Sequence, residues 1–119
     1  MRPFTFFVVA LLAIQLLAAC GAPSSGATIS DNRFSISLKE FGIEPKEIQA
    51  KAGPATFVVK NAGAIEHDFM IEGVGKIENL LPGETKTLEV TLRPGTNEIV
   101  CSLSGHKEAG MTARLAVSP

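Results

Sequence analysis

The sequence predicts an all-β fold, a Greek-key β-sandwich, in the part of the chain that follows an export signal and a linker. Two observations support this prediction. Apolar and polar side chains alternate in several short runs, which is the periodicity of a half-buried strand. Gly and Pro stand between those runs, where turns are expected. The chain has 119 residues, enough for one such domain and too few for two.

The strand-like runs begin after residue 32. They include residues 34–38, 56–59, 88–92, 99–101 and 113–117. Turn signals such as Gly53-Pro54, Pro82-Gly83 and Pro94-Gly95 separate them. No stretch has clear helical spacing, although residues 76–81 could hold one helical turn. We therefore predict about seven short strands and assign the folded domain to residues 33–119.

The first 19 residues are typical of a secretory signal peptide. Arg2 supplies a positive charge, and residues 4–17 are almost entirely apolar. This apolar run is shorter than the ~20 residues that a transmembrane helix needs. Small residues follow it, as expected at a cleavage site. We therefore predict that the mature protein lies outside the cytoplasm.

The end of the signal, Leu-Ala-Ala-Cys at residues 17–20, resembles the bacterial lipobox. We predict that Cys20 becomes the first mature residue and carries the lipid that holds the protein on a bacterial membrane. Residues 20–32 are mostly small and polar, which is typical of a flexible linker. The linker would let the domain move freely above the membrane surface.

Composition excludes several classes of function. The chain contains 11 Lys and Arg and 12 Asp and Glu, so the mature part, without Arg2, is nearly neutral. It has no basic run, and we expect no nucleic-acid partner. Of its two cysteines, Cys20 is assigned to the lipid, which leaves Cys101 without a disulfide partner. Such a thiol is either buried and inert or bound to another group.

The candidate metal ligands lie in two short segments. Cys101, His106 and Met111 form the pattern C-x4-H-x4-M, and His67 is the only other histidine of the chain. Taken singly, each has an ordinary explanation as a buried or packing side chain. Their combination favours a site, because one loop would bring a thiolate, an imidazole and a thioether to the same point. His67 would come from a neighbouring strand.

This set of donors predicts copper. Two imidazoles and a thiolate with a weak axial thioether form the blue-copper type of site, whereas a structural zinc site would use further Cys or His. With all four positions filled by protein, no position remains for a substrate. We therefore expect one copper ion that cycles between Cu(I) and Cu(II), and no enzyme activity.

Residues 41–117 resemble the small bacterial cupredoxins. The resemblance includes Pro45, Phe-Val-Val-Lys-Asn at 57–61, Pro82-Gly83-Glu-Thr and the C-x4-H-x4-M loop. The loop length is closer to that of auracyanin-type proteins than to that of plastocyanins or azurins. The resemblance implies a cupredoxin-like sandwich and assigns the copper ligands to His67, Cys101, His106 and Met111.

Two residues depart from the family pattern. Asn97 stands where relatives often have Tyr, and Asp68 stands where they often have Asn. We expect Asp68 and Asn61 to lie just outside the ligands and to fix them by hydrogen bonds. Met70, on the opposite side of its strand from His67, is expected to pack.

The predicted function is one-electron transfer between membrane-associated partners such as a cytochrome, a quinol-oxidising complex or a terminal oxidase. We expect these proteins to dock on an apolar patch around His106, formed by Ala64, Ile65, Leu103 and Ala109. The protein itself is expected to be a monomer. The alternative is a copper chaperone or storage lipoprotein, which the absence of Met-rich tracts disfavours.

Overall fold

The computed structural model describes residues 31–119, which form two β-sheets packed face to face. Nine strands and no helix occur in this range, so no helix within it could cross a membrane. The predicted signal peptide (1–19), Cys20 and nearly all of the predicted linker (20–32) lie outside the described residues.

The strands are short and follow one another closely. They are β1 Arg33–Lys39, β2 Gly42–Glu44, β3 Glu47–Lys51, β4 Gly53–Asn61, β5 His67–Ile71, β6 Gly75–Leu80, β7 Thr85–Leu92, β8 Gly95–Val100 and β9 Thr112–Ser118.

The chain crosses repeatedly between the two sheets. One sheet has the strand order β2-β1-β4-β7, and the other has the order β3-β9-β8-β5-β6. Strands β1 and β4 pair in parallel, as do β3 and β9, and the remaining pairs are antiparallel. These connections between sheets confirm the predicted all-β sandwich.

The core lies between the inner faces of the two sheets. Alternation places Ile36 and Leu38 of β1 inside, and both are almost fully buried. Three phenylalanines continue across the sandwich, with ring centroids 5.1 Å apart for Phe34 and Phe57 and 5.8 Å apart for Phe57 and Phe69. Burying a large apolar side chain stabilises the fold by roughly 1.5–3 kcal/mol.

The structure corrects the possible helical turn at residues 76–81, because β6 occupies most of this segment. Its two buried side chains, Ile77 and Leu80, are three residues apart, which is a helical spacing. The cause is a β-bulge: Phe69 pairs with Ile77 and His67 pairs with Leu80, so β6 has one extra residue. Asn79 accommodates it with a φ of 50°.

Candidate metal centre

Strand directions bring the candidate ligands to one end of the sandwich. Because β5 and β8 are antiparallel, the start of β5 at His67 lies near the end of β8, which Cys101 follows directly. Strand β9 runs antiparallel to β8, with Val100 opposite Thr112. Met111, just before β9, is therefore beside Cys101, and its carbonyl accepts a hydrogen bond from the Cys101 amide at 3.1 Å.

The segment between Cys101 and Met111 folds on itself through backbone hydrogen bonds. The His106 amide donates to the Leu103 carbonyl, and the Met111 amide donates to the His106 carbonyl, both at 3.0 Å. Gly105 has a φ of 82°, in the region that favours glycine. These features make a compact loop that turns His106 back toward Cys101.

The three donor side chains converge closely. The Nδ1 atoms of His67 and His106 are 3.2 Å apart, and the Cys101 Sγ lies 3.4 Å from the His106 Nδ1. The ligand atoms of the three residues lie within 4.8 Å of one another. Met111 is fully buried beside them. The structure thus brings together all four side chains that the sequence singled out.

Burial affects the protonation of two of these donors, His67 and Cys101. His67, Cys101 and Met111 have 0% exposure, whereas His106 is half-buried. Burial raises the pKa of the Cys101 thiol and lowers the pKa of His67, with repulsion from His106 acting in the same direction. A bound cation would reverse the first tendency, because it stabilises the thiolate, and would reinforce the second, because it requires neutral imidazole.

The chemistry of the donor set fits copper. A soft thiolate and two imidazoles face one point, and a buried thioether flanks them. Both histidines present Nδ1, which leaves Nε2 as the protonated nitrogen of each ring when Nδ1 binds metal. In His67, Nε2 has no hydrogen-bond partner. Among residues 31–119 it is the one buried side-chain nitrogen or oxygen atom that lacks a partner.

Asp68 connects the two ligand-bearing segments. Its backbone amide donates to the Cys101 Sγ at 3.4 Å, and its carboxylate accepts from the amide and the hydroxyl of Ser102. Lys76 lies 3.3 Å from the same carboxylate. Burial alone would raise the pKa of Asp68, but the hydrogen bonds from Ser102 and Lys76 hold it below its ordinary value. A buried carboxylate thus lies beside the thiol.

Asn61 fixes the segment that leads to His67. Its side-chain amide donates to the carbonyls of Ile65 and Leu80 at 2.7 and 2.8 Å, and its oxygen accepts from the Gly63 amide at 2.9 Å. Asn61 is fully buried. It therefore acts on the loop rather than on a ligand side chain directly.

Sequence reasoning missed Glu40, which lies in the turn between β1 and β2. One of its carboxylate oxygens is 3.6 Å from the His67 Nε2 and accepts from the amides of Ala64 and Ile65 at 2.6 and 3.1 Å. The hydrogen bond from Ala64 is the largest cause that lowers the pKa of Glu40. The signal that could have found it is topological, since parallel pairing places the end of β1 beside the end of β4.

The predicted apolar patch is partly exposed in the structure. Ala64, Ile65 and Ala109 are exposed, whereas Leu103 is half-buried and packs against the core. Two larger exposed apolar side chains at the same end were missed, Phe41 with 57% and Leu81 with 50% exposure. Phe41 follows Glu40, and Leu81 follows the residue that pairs with His67.

Met70 and Asn97, which the sequence also singled out, are not part of the donor cluster. Met70 is half-buried on β5. Asn97, at the position of the family's Tyr, donates to the Glu72 carbonyl at 3.1 Å. Lys107, next to His106, forms ion pairs with Glu72 and Glu98 at 3.2 and 2.9 Å.

The sequence matches the family described as the cupredoxin-like domain over residues 7–113, which is most of the chain. The chain belongs to the cupredoxin-like family. Within this family the convergence of two imidazoles, one thiol and one buried thioether identifies a single type 1 copper site. No curated protein sequence matches the chain.

Several solved structures share this fold. A dithionite-reduced auracyanin from Roseiflexus castenholzii is 20% identical, with a TM-score of 0.70 over 74% of this cupredoxin-like chain and 98% of its own. Auracyanin A, a blue copper protein from Chloroflexus aurantiacus, is 18% identical with a TM-score of 0.62. The match covers 72% of this chain and 99% of auracyanin A. A multicopper oxidase from Campylobacter jejuni is 18% identical with a TM-score of 0.65, covering 73% of this chain but only 30% of the oxidase.

Proposed function

We propose that this cupredoxin-like protein carries single electrons between redox partners outside the cytoplasm and is not an enzyme. The observation that carries the proposal is the closure of the site. His67, Cys101 and Met111 have no exposed surface, and His106 itself is half-buried. A substrate would need an open coordination position and a path to it.

Copper bound among these residues would supply a one-electron couple between Cu(I) and Cu(II). The chain supplies donors that are already close together, so little has to move when the charge changes. The amide of Asp68 donates to the thiol sulfur, and the backbone hydrogen bonds of the 101–111 loop fix the positions of Cys101 and His106 relative to each other. Among the four donor residues, His106 is the one with exposed surface, so electrons would pass between the site and a partner through it.

The docking surface that we propose surrounds His106. It consists of the predicted residues Ala64, Ile65, Leu103 and Ala109, with Phe41 and Leu81 as additional members. Exposed large apolar side chains grouped near one site favour a small apolar contact. Small contacts of this kind suit electron-transfer partners, which must release quickly. A cytochrome, a quinol-oxidising complex or a terminal oxidase remains our proposed partner.

We further propose that lipid on Cys20 holds the protein at a bacterial membrane after the signal peptide 1–19 is removed. The support is the sequence at residues 17–20 and the linker composition that follows. To test it, cells that express the wild type or Cys20→Ser are labelled with a radioactive fatty acid and fractionated. We expect labelled protein in the membrane fraction for the wild type only. Label in the Ser variant would contradict the anchor.

The electron-transfer proposal is tested by a visible spectrum of the purified protein during titration with Cu(II), followed by ascorbate. We expect an intense thiolate-to-copper band that saturates at one equivalent and bleaches reversibly. Cys101→Ser should abolish the band, because it removes the thiolate. Ser104→Ala, in the same loop and without a side-chain hydrogen bond among the described residues, should retain it and serves as the control.

A colourless product, or one that binds only Cu(I), would contradict the electron carrier and favour copper handling instead. Oxidation of a phenolic or metal-ion substrate with many turnovers would contradict the absence of enzyme activity.

A further inference from the structure

The starting point is the buried ring nitrogen of His67 that has no hydrogen-bond partner. If Nδ1 of this ring faces the metal, Nε2 carries the proton and needs an acceptor. His67 has 0% exposure, so water does not reach it. Leaving a buried donor unsatisfied is unfavourable, and histidines that bind metals usually donate their second N–H to a carboxylate, a carbonyl or water.

Glu40 is held where it could meet this need. One oxygen of its carboxylate lies 3.6 Å from the His67 Nε2, slightly longer than a hydrogen bond. The amides of Ala64 and Ile65 donate to the same oxygen, so the loop that precedes His67 positions the carboxylate. A shift of a few tenths of an ångström would complete the bond.

Gly63 provides the space for this arrangement. A Cβ atom built on Gly63 would lie 2.3 Å from the Glu40 carboxylate oxygen, much too close. Gly63 is not among the described glycines with positive φ, so its backbone conformation does not require glycine. Gly63 is therefore explained by the space that the Glu40 carboxylate occupies, and not by its own backbone conformation.

On the basis of the proposed copper function, we propose that Glu40 accepts a hydrogen bond from the His67 Nε2–H and thereby positions the ring with Nδ1 toward Cys101 and His106. Glu40 does not touch the metal in this arrangement and is a positioning residue. Its negative charge near a ligand favours the more highly charged Cu(II) over Cu(I), and therefore lowers the reduction potential.

The first test compares Glu40→Ala and Glu40→Gln with the wild type. Changes of such outer partners typically lower metal affinity 10- to 100-fold, and we expect about that loss of Cu(II) affinity for Glu40→Ala. If only the affinity for Cu(II) falls and that for Cu(I) is unchanged, each tenfold loss of affinity raises the reduction potential by about 59 mV. Glu40→Gln keeps an acceptor oxygen but loses the charge, so we expect a raised potential with a smaller loss of affinity.

The matched control is Glu84→Gln. The Glu84 carboxylate also accepts a backbone hydrogen bond, from the Leu81 amide at 2.8 Å, and is 43% exposed compared with 36% for Glu40. It has no contact with a ligand among the described side-chain hydrogen bonds and ion pairs. We expect its Cu(II) affinity to stay within about twofold of the wild type, because it lacks the outer-partner role that costs tenfold or more.

A second readout does not use the redox couple. In the diamagnetic Cu(I) protein, the Nε2 proton of His67 should give a sharp, slowly exchanging NMR signal when it is hydrogen-bonded. We expect this signal in the wild type and in Glu40→Gln, and its loss or broadening in Glu40→Ala.

Gly63→Ala completes a double-mutant cycle. The added methyl should displace the Glu40 carboxylate and reproduce much of the Glu40→Ala loss, whereas in a Glu40→Ala background it should add little. Additive effects would overturn the link between the two residues.

Unchanged potential, Cu(II) affinity and NMR signal in Glu40→Ala, in a protein whose wild type shows the thiolate band, would overturn the role of Glu40 alone. Absence of the band in the wild type would instead refute the proposed function on which this inference rests.

Discussion

Asp68 places a formal negative charge in the immediate surroundings of the Cys101 thiol, where related proteins often have a neutral amide. The charge is not isolated, since Ser102 donates two hydrogen bonds to it and Lys76 lies 3.3 Å away. Because Asp68 is nearly fully buried, water screens its charge less than it would at the surface. This residue should influence the electron affinity of the site without altering its shape.

Asp68→Asn should raise the reduction potential, because it removes the buried negative charge but keeps an oxygen that can accept from Ser102. A tenfold change in the preference between the two copper states corresponds to about 59 mV, and we expect a rise of roughly this size. Voltammetry of both proteins measures it. Glu78→Gln is the control, because Glu78 pairs with the same Lys76 at 3.1 Å but is exposed. An equal rise in both variants would contradict a specific role of Asp68.

The metal-free domain should lose stability on acidification in two steps. Burial holds the pKa of His67 below the ordinary 6.5, so the unfolded chain binds this proton first and stability falls as the pH drops below 6.5. Asp68, whose pKa lies below 3.8, stabilises the fold above that value and ceases to do so under stronger acid. Urea unfolding followed by circular dichroism at several pH values measures both steps. Constant stability between pH 7.5 and 5 would contradict the first.

At this scale the sequence predicts the donors better than their surroundings. His67, Cys101, His106 and Met111 could be selected because the chain has only two histidines and three of the residues share one loop. Glu40 could not be found in the same way, since it is far from His67 in sequence and approaches it only because β1 pairs with β4. The ion pair of Asp68 with Lys76 likewise depends on the register of β5 and β6.

Among the elements, β6 is the one that the sequence misrepresents. Its extra residue moves Leu80 onto the inner face, opposite His67, and the positive φ of Asn79 makes this possible. The Leu80 carbonyl then accepts from Asn61, which also holds the loop before His67. A local irregularity thus supports the position of a ligand, and a period-based reading of the sequence cannot separate it from a turn of helix.

Asn79→Val should destabilise the domain, because a β-branched side chain disfavours a φ of 50°. We expect a loss of about 1–2 kcal/mol in the free energy of unfolding, measured by chemical denaturation of the metal-free protein. Asn79→Gly removes a side chain at the same position but tolerates the positive φ, and should cost less. If glycine were the more damaging substitution, the backbone explanation would be wrong.

For the molecule as a whole, metal binding should contribute a large share of stability. The domain is small, and Cys101 is a free cysteine, so no disulfide links the described strands. A ligand present at a thousand times its dissociation constant stabilises the folded state by about 4 kcal/mol. Copper should therefore raise the midpoint of thermal unfolding of the wild type clearly, and that of Cys101→Ser much less. Equal increases in both proteins would place the stabilising copper elsewhere.

For the global architecture, the sequence predicts the fold class but not the arrangement of the strands. Alternating runs and Gly-Pro turns indicate a sandwich, but they do not say which strands are neighbours. The parallel pairs β1–β4 and β3–β9 join segments that are far apart in sequence, and local periodicity contains no information about them. The three residues of β2 are also too few for a periodic signal.

The parallel pairing of β3 with β9 has a consequence for the order of folding. Lys51 pairs with Ser118, so β3 cannot join its sheet until the chain is present through the end of β9. Contacts of such long range form slowly. Met111 leads directly into β9, and the pairing of β9 with β8 places it beside Cys101, so the donor cluster is complete only once β9 has paired. We therefore expect a chain that still lacks β9 to capture no copper, and the metal to be acquired by the finished sandwich.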